Sequence, residues 1–140
     1  MPIATEPIVK EVHIDARPDT VFAFFTEPDK ITRWLSAEAT TDPRPGGIMH
    51  QTHHADGVDY LLRGEFVELY PPHRVVFTWG FKNSEIGVTP GCSTVEVTLT
   101  PADGGTLLRL VHSGLPEPAV DNHDKGWDQC LSKLARAVVA

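Results

Sequence analysis

The segment HDKGWDQC at residues 123–130 places a histidine, two aspartates and a cysteine within eight positions. A cysteine beside a histidine base could form a thiolate nucleophile, and a histidine with carboxylates could bind a metal ion. However, His123 and Cys130 lie seven residues apart, roughly 10 Å along a helix, whereas a base must lie within about 3 Å of its nucleophile. A continuous helix therefore excludes a local Cys–His pair, and a metal site would need further ligands from elsewhere. We assign no catalytic residue to this segment.

The same segment has the periodicity of an amphipathic helix of about five turns. Asp121 and Asp124 suit its N-terminus, where the helix dipole favours negative charge. We expect Cys130 to be a core thiol, and His123 to be neutral because burial and the dipole disfavour its charged form. Gly126 costs about 1 kcal/mol relative to alanine, so close backbone packing or room for a ligand must account for it. The apolar stripe comprises His123, Trp127, Cys130, Leu131, Leu134 and Val138.

A second group of titratable residues comprises His50, His53, His54 and Asp56. In a strand, His50 and His54 share one face, and His53 points to the other. A transition-metal site needs three or four converging ligands, so we interpret this group as a solvated strand end and expect no stoichiometric metal. His112 follows Leu108 and Leu110 on an inward strand face. We expect it to be buried and satisfied by a backbone carbonyl.

Hydrophobic periodicity predicts strands with two short helices near the N-terminus. Proline and an acidic residue mark the start of each helix, at Pro18-Asp19 and at Pro28-Asp29. From there the period changes to two, and short turns without helices imply an antiparallel meander. The predicted strands lie around residues 8–14, 48–52, 59–69, 75–81, 94–99 and 108–112.

Length and composition indicate one ordinary globular domain over residues 1–140, with 41% hydrophobic and 22% charged residues. The net charge of −7 argues against a nucleic-acid partner, because phosphate binding needs a basic face. The sequence contains no apolar run of the roughly 18 residues that a membrane span needs, and no secretory signal. Two cysteines without a CxxC motif are typical of free thiols in a reducing compartment. We therefore predict a cytoplasmic protein.

Several short motifs occur in a characteristic order along nearly the whole chain, from about residue 8 to 138. They are Thr26–Ile31 with Trp34-Leu35, Gly64–Glu68 leading to Pro71-Pro72 and Arg74–Trp79, His112–Pro116, and the pattern of His123, Gly126, Trp127, Leu131 and Leu134. Together they resemble the AHSA-like family, named after the activator of a heat-shock-protein ATPase, within the START-like (SRPBCC) superfamily.

The resemblance implies an α+β helix-grip fold. Such a fold has a curved antiparallel sheet of about six or seven strands wrapped around a long C-terminal helix, with two short helices after the first strand. It also implies a hydrophobic cavity between the sheet and that helix. The candidate cavity residues are Trp34, Tyr60, Phe66, Phe77, Trp79, His112, His123 and Trp127.

Three functions are compatible with this resemblance. The first is binding of a small apolar, aromatic or lipid-like ligand, which requires only the cavity and no cofactor. The second is a cyclase or dehydratase reaction, which would need His112, His123 or Tyr60 as an acid or base. The third is a stress-related chaperone contact. Eukaryotic activators carry an additional N-terminal domain for which 140 residues leave no room, which argues against chaperone activation. We favour ligand binding because it requires the fewest features. A homodimer, the ligand's identity and any catalytic turnover stay open.

Overall fold

The structure, a computed structural model, describes residues 2–140 as an antiparallel sheet curved around a C-terminal helix. This confirms the predicted helix-grip fold. Its elements in chain order are β1 (Ile8–Ile14), α1 (Pro18–Ala23), α2 (Pro28–Ile31), β2 (Glu38–Thr41), β3 (Ile48–Ala55), β4 (Val58–Tyr70), β5 (Arg74–Trp79), β6 (Ser93–Ala102), β7 (Gly105–Ser113), a 3₁₀ turn (Glu117–Ala119) and α3 (Val120–Val139). None of the helices in this described stretch is long and apolar enough to cross a bilayer.

The seven strands follow the order β1-β7-β6-β5-β4-β3-β2, and all neighbours are antiparallel. From β2 onward each strand pairs with the next one in sequence, as expected of a meander. The first strand instead pairs with the last one. A register shift between Phe66 and Glu68 places an extra residue in β4, and such a bulge bends the strand and increases its twist.

Two Asp-Gly pairs make the tightest connections of the sheet. Asp56 and Gly57 have φ angles of 51° and 77°, and Asp103 and Gly104 have φ angles of 49° and 75°. Positive φ at both central residues is the requirement of a two-residue type I′ hairpin turn, whose twist matches that of the flanking strands. The turns predicted from HADG and PADGG therefore fix the registers of β3 with β4 and of β6 with β7.

The core lies between the concave face of the sheet, α3 and the two short helices. The inward residues of the central strands are almost fully buried, as the period-two pattern predicted. They include Phe66, Val75, Phe77, Trp79, Val95, Val97, Leu99, Leu108 and Leu110, none more than 4% exposed. From α3, Trp127, Leu131 and Leu134 complete this core.

Some predicted boundaries differ from the structure. Strand β2 was not predicted, because its sequence EATT is short, polar and half-exposed. Strand β3 continues three residues beyond the predicted end at 52, since it extends to the Asp-Gly turn. Phe81 lies outside β5 and forms an isolated bridge with Leu62. Trp79 is therefore the last residue of that strand.

Helix α3 is also fastened by polar contacts near each end. Near its start, Lys10 Nζ of β1 lies 2.9 Å from carboxylate oxygens of both Asp124 and Asp128. Near its end, the Arg33 guanidinium donates a hydrogen bond of 3.0 Å to the carbonyl of Ala137. These contacts connect the helix to β1 and to the segment after α2.

Replacing Gly126 with alanine should stabilise the protein. A Cβ at this position would meet nothing within 4 Å, so close packing does not explain the glycine. Because alanine forms helix better than glycine, we expect the free energy of unfolding to rise by about 1 kcal/mol in denaturant titrations.

Gly64→Ala is the matched control. A Cβ there would clash with the backbone oxygen of Thr78, so this variant should lose stability. A loss at Gly126 as well would show that the helix needs the glycine for a reason other than space.

Candidate functional site

A chain of hydrogen bonds joins α3 to the centre of the sheet. Trp127 Nε1 donates to His112 Nδ1 at 2.9 Å, and His112 Nε2 lies 2.9 Å from Ser93 Oγ. The Ser93 hydroxyl in turn donates to the carbonyl of Trp79 at 2.8 Å. All four residues are at most 4% exposed, and buried polar groups need such partners.

The donors of this chain determine the protonation of His112. An indole N–H can only donate, so Nδ1 accepts and the proton of the neutral ring must be on Nε2. His112 therefore donates to Ser93, the reverse of what a base would do to activate a serine nucleophile. The expected backbone-carbonyl partner of His112 is wrong, because a tryptophan and a serine satisfy the ring instead. The geometry does not support a Ser–His catalytic pair.

His123 is constrained in a similar way. Trp79 Nε1 donates to its Nε2 at 3.2 Å, which leaves the proton on Nδ1. That N–H faces the carbonyl of Ala119 at 2.9 Å and the side-chain oxygen of Asn122 at 2.8 Å. The predicted neutral, hydrogen-bonded His123 therefore has both ring nitrogens occupied.

The rings themselves form one aromatic cluster around Trp79. Its ring centroid lies 5.2 Å from that of Trp127, 5.6 Å from His112, 6.2 Å from His123 and 5.5 Å from His53. Burial lowers the pKa of His112 to about 3 and that of His53 to about 4, and the proximity of His123 contributes a smaller lowering. Burial also lowers the pKa of His123, opposed in part by its bond to Ala119. Near neutral pH the three imidazoles are uncharged.

His53 differs from the other two histidines because one of its nitrogens stays available. Its Nε2 lies 2.8 Å from Gln51 Oε1, and the amide of Gln51 donates to the sulfur of Met49 at 3.4 Å. Its Nδ1 has no hydrogen-bond partner among residues 2–140. Every fully buried side-chain nitrogen or oxygen of that stretch does have a partner. Nδ1 of His53 is therefore accessible to solvent.

An open groove of about 250 Å³ runs past His53. It lies between the segment that follows α2, strand β3 and helix α3. The lining residues are Thr32, Arg33, Trp34, Leu35, Ser36, Ala37, His53, His54 and Lys133. Trp34 is held there by a hydrogen bond of 2.9 Å from its indole N–H to the carbonyl of Phe24.

The structure does not bring the eight candidate cavity residues together in one cavity. Trp34 lines the groove, and Tyr60 packs against Phe81, with ring centroids 6.1 Å apart. The other six lie in the packed interior between the sheet and α3. They are Phe66, Phe77, Trp79, His112, His123 and Trp127.

The histidines of β3 also divide between the two faces of their strand. His53 points inward and packs edge-on against Trp79, so the interpretation of the whole group as a solvated strand end is wrong for this residue. His54 is exposed and hydrogen-bonded to Asp59, and His50 lies beside a smaller groove of about 170 Å³.

Sequence reasoning also missed Ser93 and Gln51. Ser93 lies on the same inward face of β6 as Val95 and Val97 but is polar. A polar residue at an inward position was the sequence signal that a buried hydrogen bond is needed there. Gln51 follows Met49 on the inward face of β3 in the same way.

The sequence profile of the "Activator of Hsp90 ATPase homolog 1-like protein" family matches residues 15–139. The chain belongs to this family. Its relatives include the human "Activator of 90 kDa heat shock protein ATPase homolog 1", which is 28% identical over 80% of this chain. That match covers 30% of the human protein, so the chain spans about a third of the curated relatives it matches.

Solved structures of similar proteins have the same fold. A protein from Mesorhizobium loti is 27% identical, with a TM-score of 0.82 over 94% of this chain and 96% of that chain. The Aha1 dimer from Colwellia psychrerythraea is 18% identical, with a TM-score of 0.76 over 94% of this chain and 95% of that chain. The profile match over residues 15–139 confirms the family resemblance inferred from the four motifs.

Acidification should destabilise the protein through His53 and His112. Both have folded-state pKa values well below the usual 6.5, so the unfolded chain binds protons first as the pH falls. Their full stabilisation is present above about pH 7 and is lost as the pH falls through 6.5 toward 4 and 3. Relative to pH 7, each histidine should lower the free energy of unfolding at pH 5 by about 2 kcal/mol. Denaturant titrations between pH 7 and 5 avoid most carboxylate protonation.

His112→Gln supplies the control, since it cannot titrate. Between pH 7 and 5, the free energy of unfolding of this variant should fall by about 2 kcal/mol less than that of the wild type, whatever the variant's absolute stability. Equal slopes for the two proteins would mean that His112 does not stay neutral in the fold.

Two substitutions of Trp127 should separate packing from hydrogen bonding. Trp127→Ala removes a ring that is 3% exposed and should cost about 3–5 kcal/mol. Trp127→Phe keeps most of the ring but leaves His112 Nδ1 without its donor, which should cost about 1–3 kcal/mol. Both are measured by denaturant unfolding. A neutral Phe variant would show that the Trp127–His112 bond adds nothing to stability.

Proposed function

We propose that this chain binds a small aromatic molecule in the groove between α3, β3 and the segment after α2. The observation that supports it is the position of His53, which has one ring nitrogen bonded inside the protein and the other accessible to solvent beside the groove. A ligand there would meet a ready hydrogen-bond acceptor beside the polar side chains that line the groove.

The size and lining of the groove favour a small ligand. Ligand pockets usually enclose roughly 300–1,000 Å³, and this groove is close to the lower end at about 250 Å³. Pockets of this kind combine apolar walls with a few polar groups that fix orientation. We place the ligand in this open groove, because the six interior candidates already pack against one another.

Catalysis is less favoured than binding. The cyclase or dehydratase hypothesis relied on His112, His123 or Tyr60 as an acid or base. Both nitrogens of His112 and of His123 have protein partners, so neither ring has a lone pair free for a substrate.

A chaperone contact is the second candidate, suggested by the name of the human relative. Because this chain matches only 30% of that protein, its activity need not extend to this chain. A homodimer stays a prediction as well, since likeness to the Colwellia dimer at 18% identity concerns the fold.

Blocking the groove should abolish binding of a neutral aromatic probe such as 2-naphthamide. Ala37 lines the groove and is exposed, so Ala37→Trp should fill the space without disturbing the core. We expect the wild type to bind the probe, with the largest NMR shift at the indole N–H of Trp34, and the variant to bind at least tenfold more weakly.

Ala55→Trp is the matched control, because Ala55 is an exposed residue at the end of β3 that does not line the groove. It should bind the probe as the wild type does. Equal affinities of wild type and Ala37→Trp, or shifts centred on Trp79 and Trp127 instead, would refute the proposed site.

A further inference from the structure

We propose that the groove selects an organic acid, whose anionic group lies against Lys133 and Arg33. This inference rests on the small-molecule binding proposed above and adds the chemical class of the ligand.

The charge of the groove is opposite to that of the whole protein. The chain has a net charge of −7, yet none of the residues that line the groove is Asp or Glu, and two of them are Arg33 and Lys133. The neighbouring carboxylate of Asp59 is bound to His54, and Glu38 lines the adjacent groove. A cationic groove on an acidic protein favours anions locally, because a charged wall concentrates its counter-ion.

Both cations retain donors for a ligand. Lys133 is exposed and forms no ion pair within 4 Å among residues 2–140. By contrast, Lys10 on the other side of α3 is bound by two carboxylates. Arg33 uses one N–H for the Ala137 carbonyl, and its guanidinium lies 5.2 Å from the ring centroid of Phe24. Since a guanidinium has five N–H donors, others stay free for an acid.

Space restricts the acid to a small one. A groove of about 250 Å³ accommodates one or two aromatic rings. His53 is uncharged at neutral pH and therefore adds a hydrogen-bond acceptor rather than a third cation. The ligand class is thus a monocyclic or bicyclic organic acid, held by charge at its acid group.

The test compares 2-naphthoate with 2-naphthamide, which have the same rings and differ in charge. By calorimetry at low salt, the wild type should bind the acid about tenfold more tightly than the amide, since two exposed cations each contribute a few-fold. Lys133→Gln should weaken binding of the acid about three- to fivefold and leave binding of the amide unchanged. Added salt should weaken binding of the acid alone.

Lys125→Gln provides the control, because Lys125 is exposed on the same helix and does not line the groove. It changes the net charge equally and should affect neither probe. Equal affinities for acid and amide, or equal effects of the two lysine substitutions, would overturn the charge selection.

These results also separate the two proposals. If Ala37→Trp blocks both probes and the affinities are equal, the groove binds ligands but does not select acids. If neither probe binds, or if Ala37→Trp leaves both bound, the proposed site and the acid selection both fail.

Discussion

The structure depends on one buried chain of hydrogen bonds that leads from Trp127 through His112 and Ser93 to the carbonyl of Trp79. Each donor in it has a defined acceptor, and leaving one unpaired inside the core would cost about 1–3 kcal/mol. The chain therefore fixes the rotation of α3 about its own axis. A helix turned by one residue, about 100°, would remove Trp127 from His112. Hydrophobic burial alone would tolerate such a rotation more easily, because it is non-directional.

The rotation of α3 in turn determines where the groove opens. With Trp127 directed into the cluster, Asp124 and Asp128 reach Lys10 of β1 on one side of the helix. Lys133 then lies on the side that faces the segment after α2, where Arg33 binds the Ala137 carbonyl. These surface contacts are individually weak, since exposed ion pairs contribute at most about 1 kcal/mol. They add to the stability of a helix position that the buried hydrogen bonds already define. The groove is the space left between the helix and β3.

Periodicity predicted the elements well because burial is a repeating property of strands and helices. The stripe through Trp127, Leu131 and Leu134 and the alternation of β6 both lead directly to buried residues. Hydrogen-bond partners could not be predicted in the same way. Ser93 and His112 lie 19 residues apart, and Trp79 and His123 lie 44 apart. Only the sheet register and the docking of α3 bring such residues together, and a single sequence contains neither.

The three histidines of the aromatic cluster differ in the partners of their ring nitrogens. His112 and His123 each donate with one nitrogen and accept with the other, so their proton positions are fixed by the fold. His53 donates inward to Gln51, and its other ring nitrogen keeps a lone pair without a partner among residues 2–140. Its pKa of about 4 makes that lone pair a weak base, because an efficient general base has a pKa near the working pH. A neutral acceptor that cannot readily take up a proton is better suited to orienting a bound donor than to removing its proton, so the same burial that holds His53 in the aromatic cluster also favours recognition over catalysis.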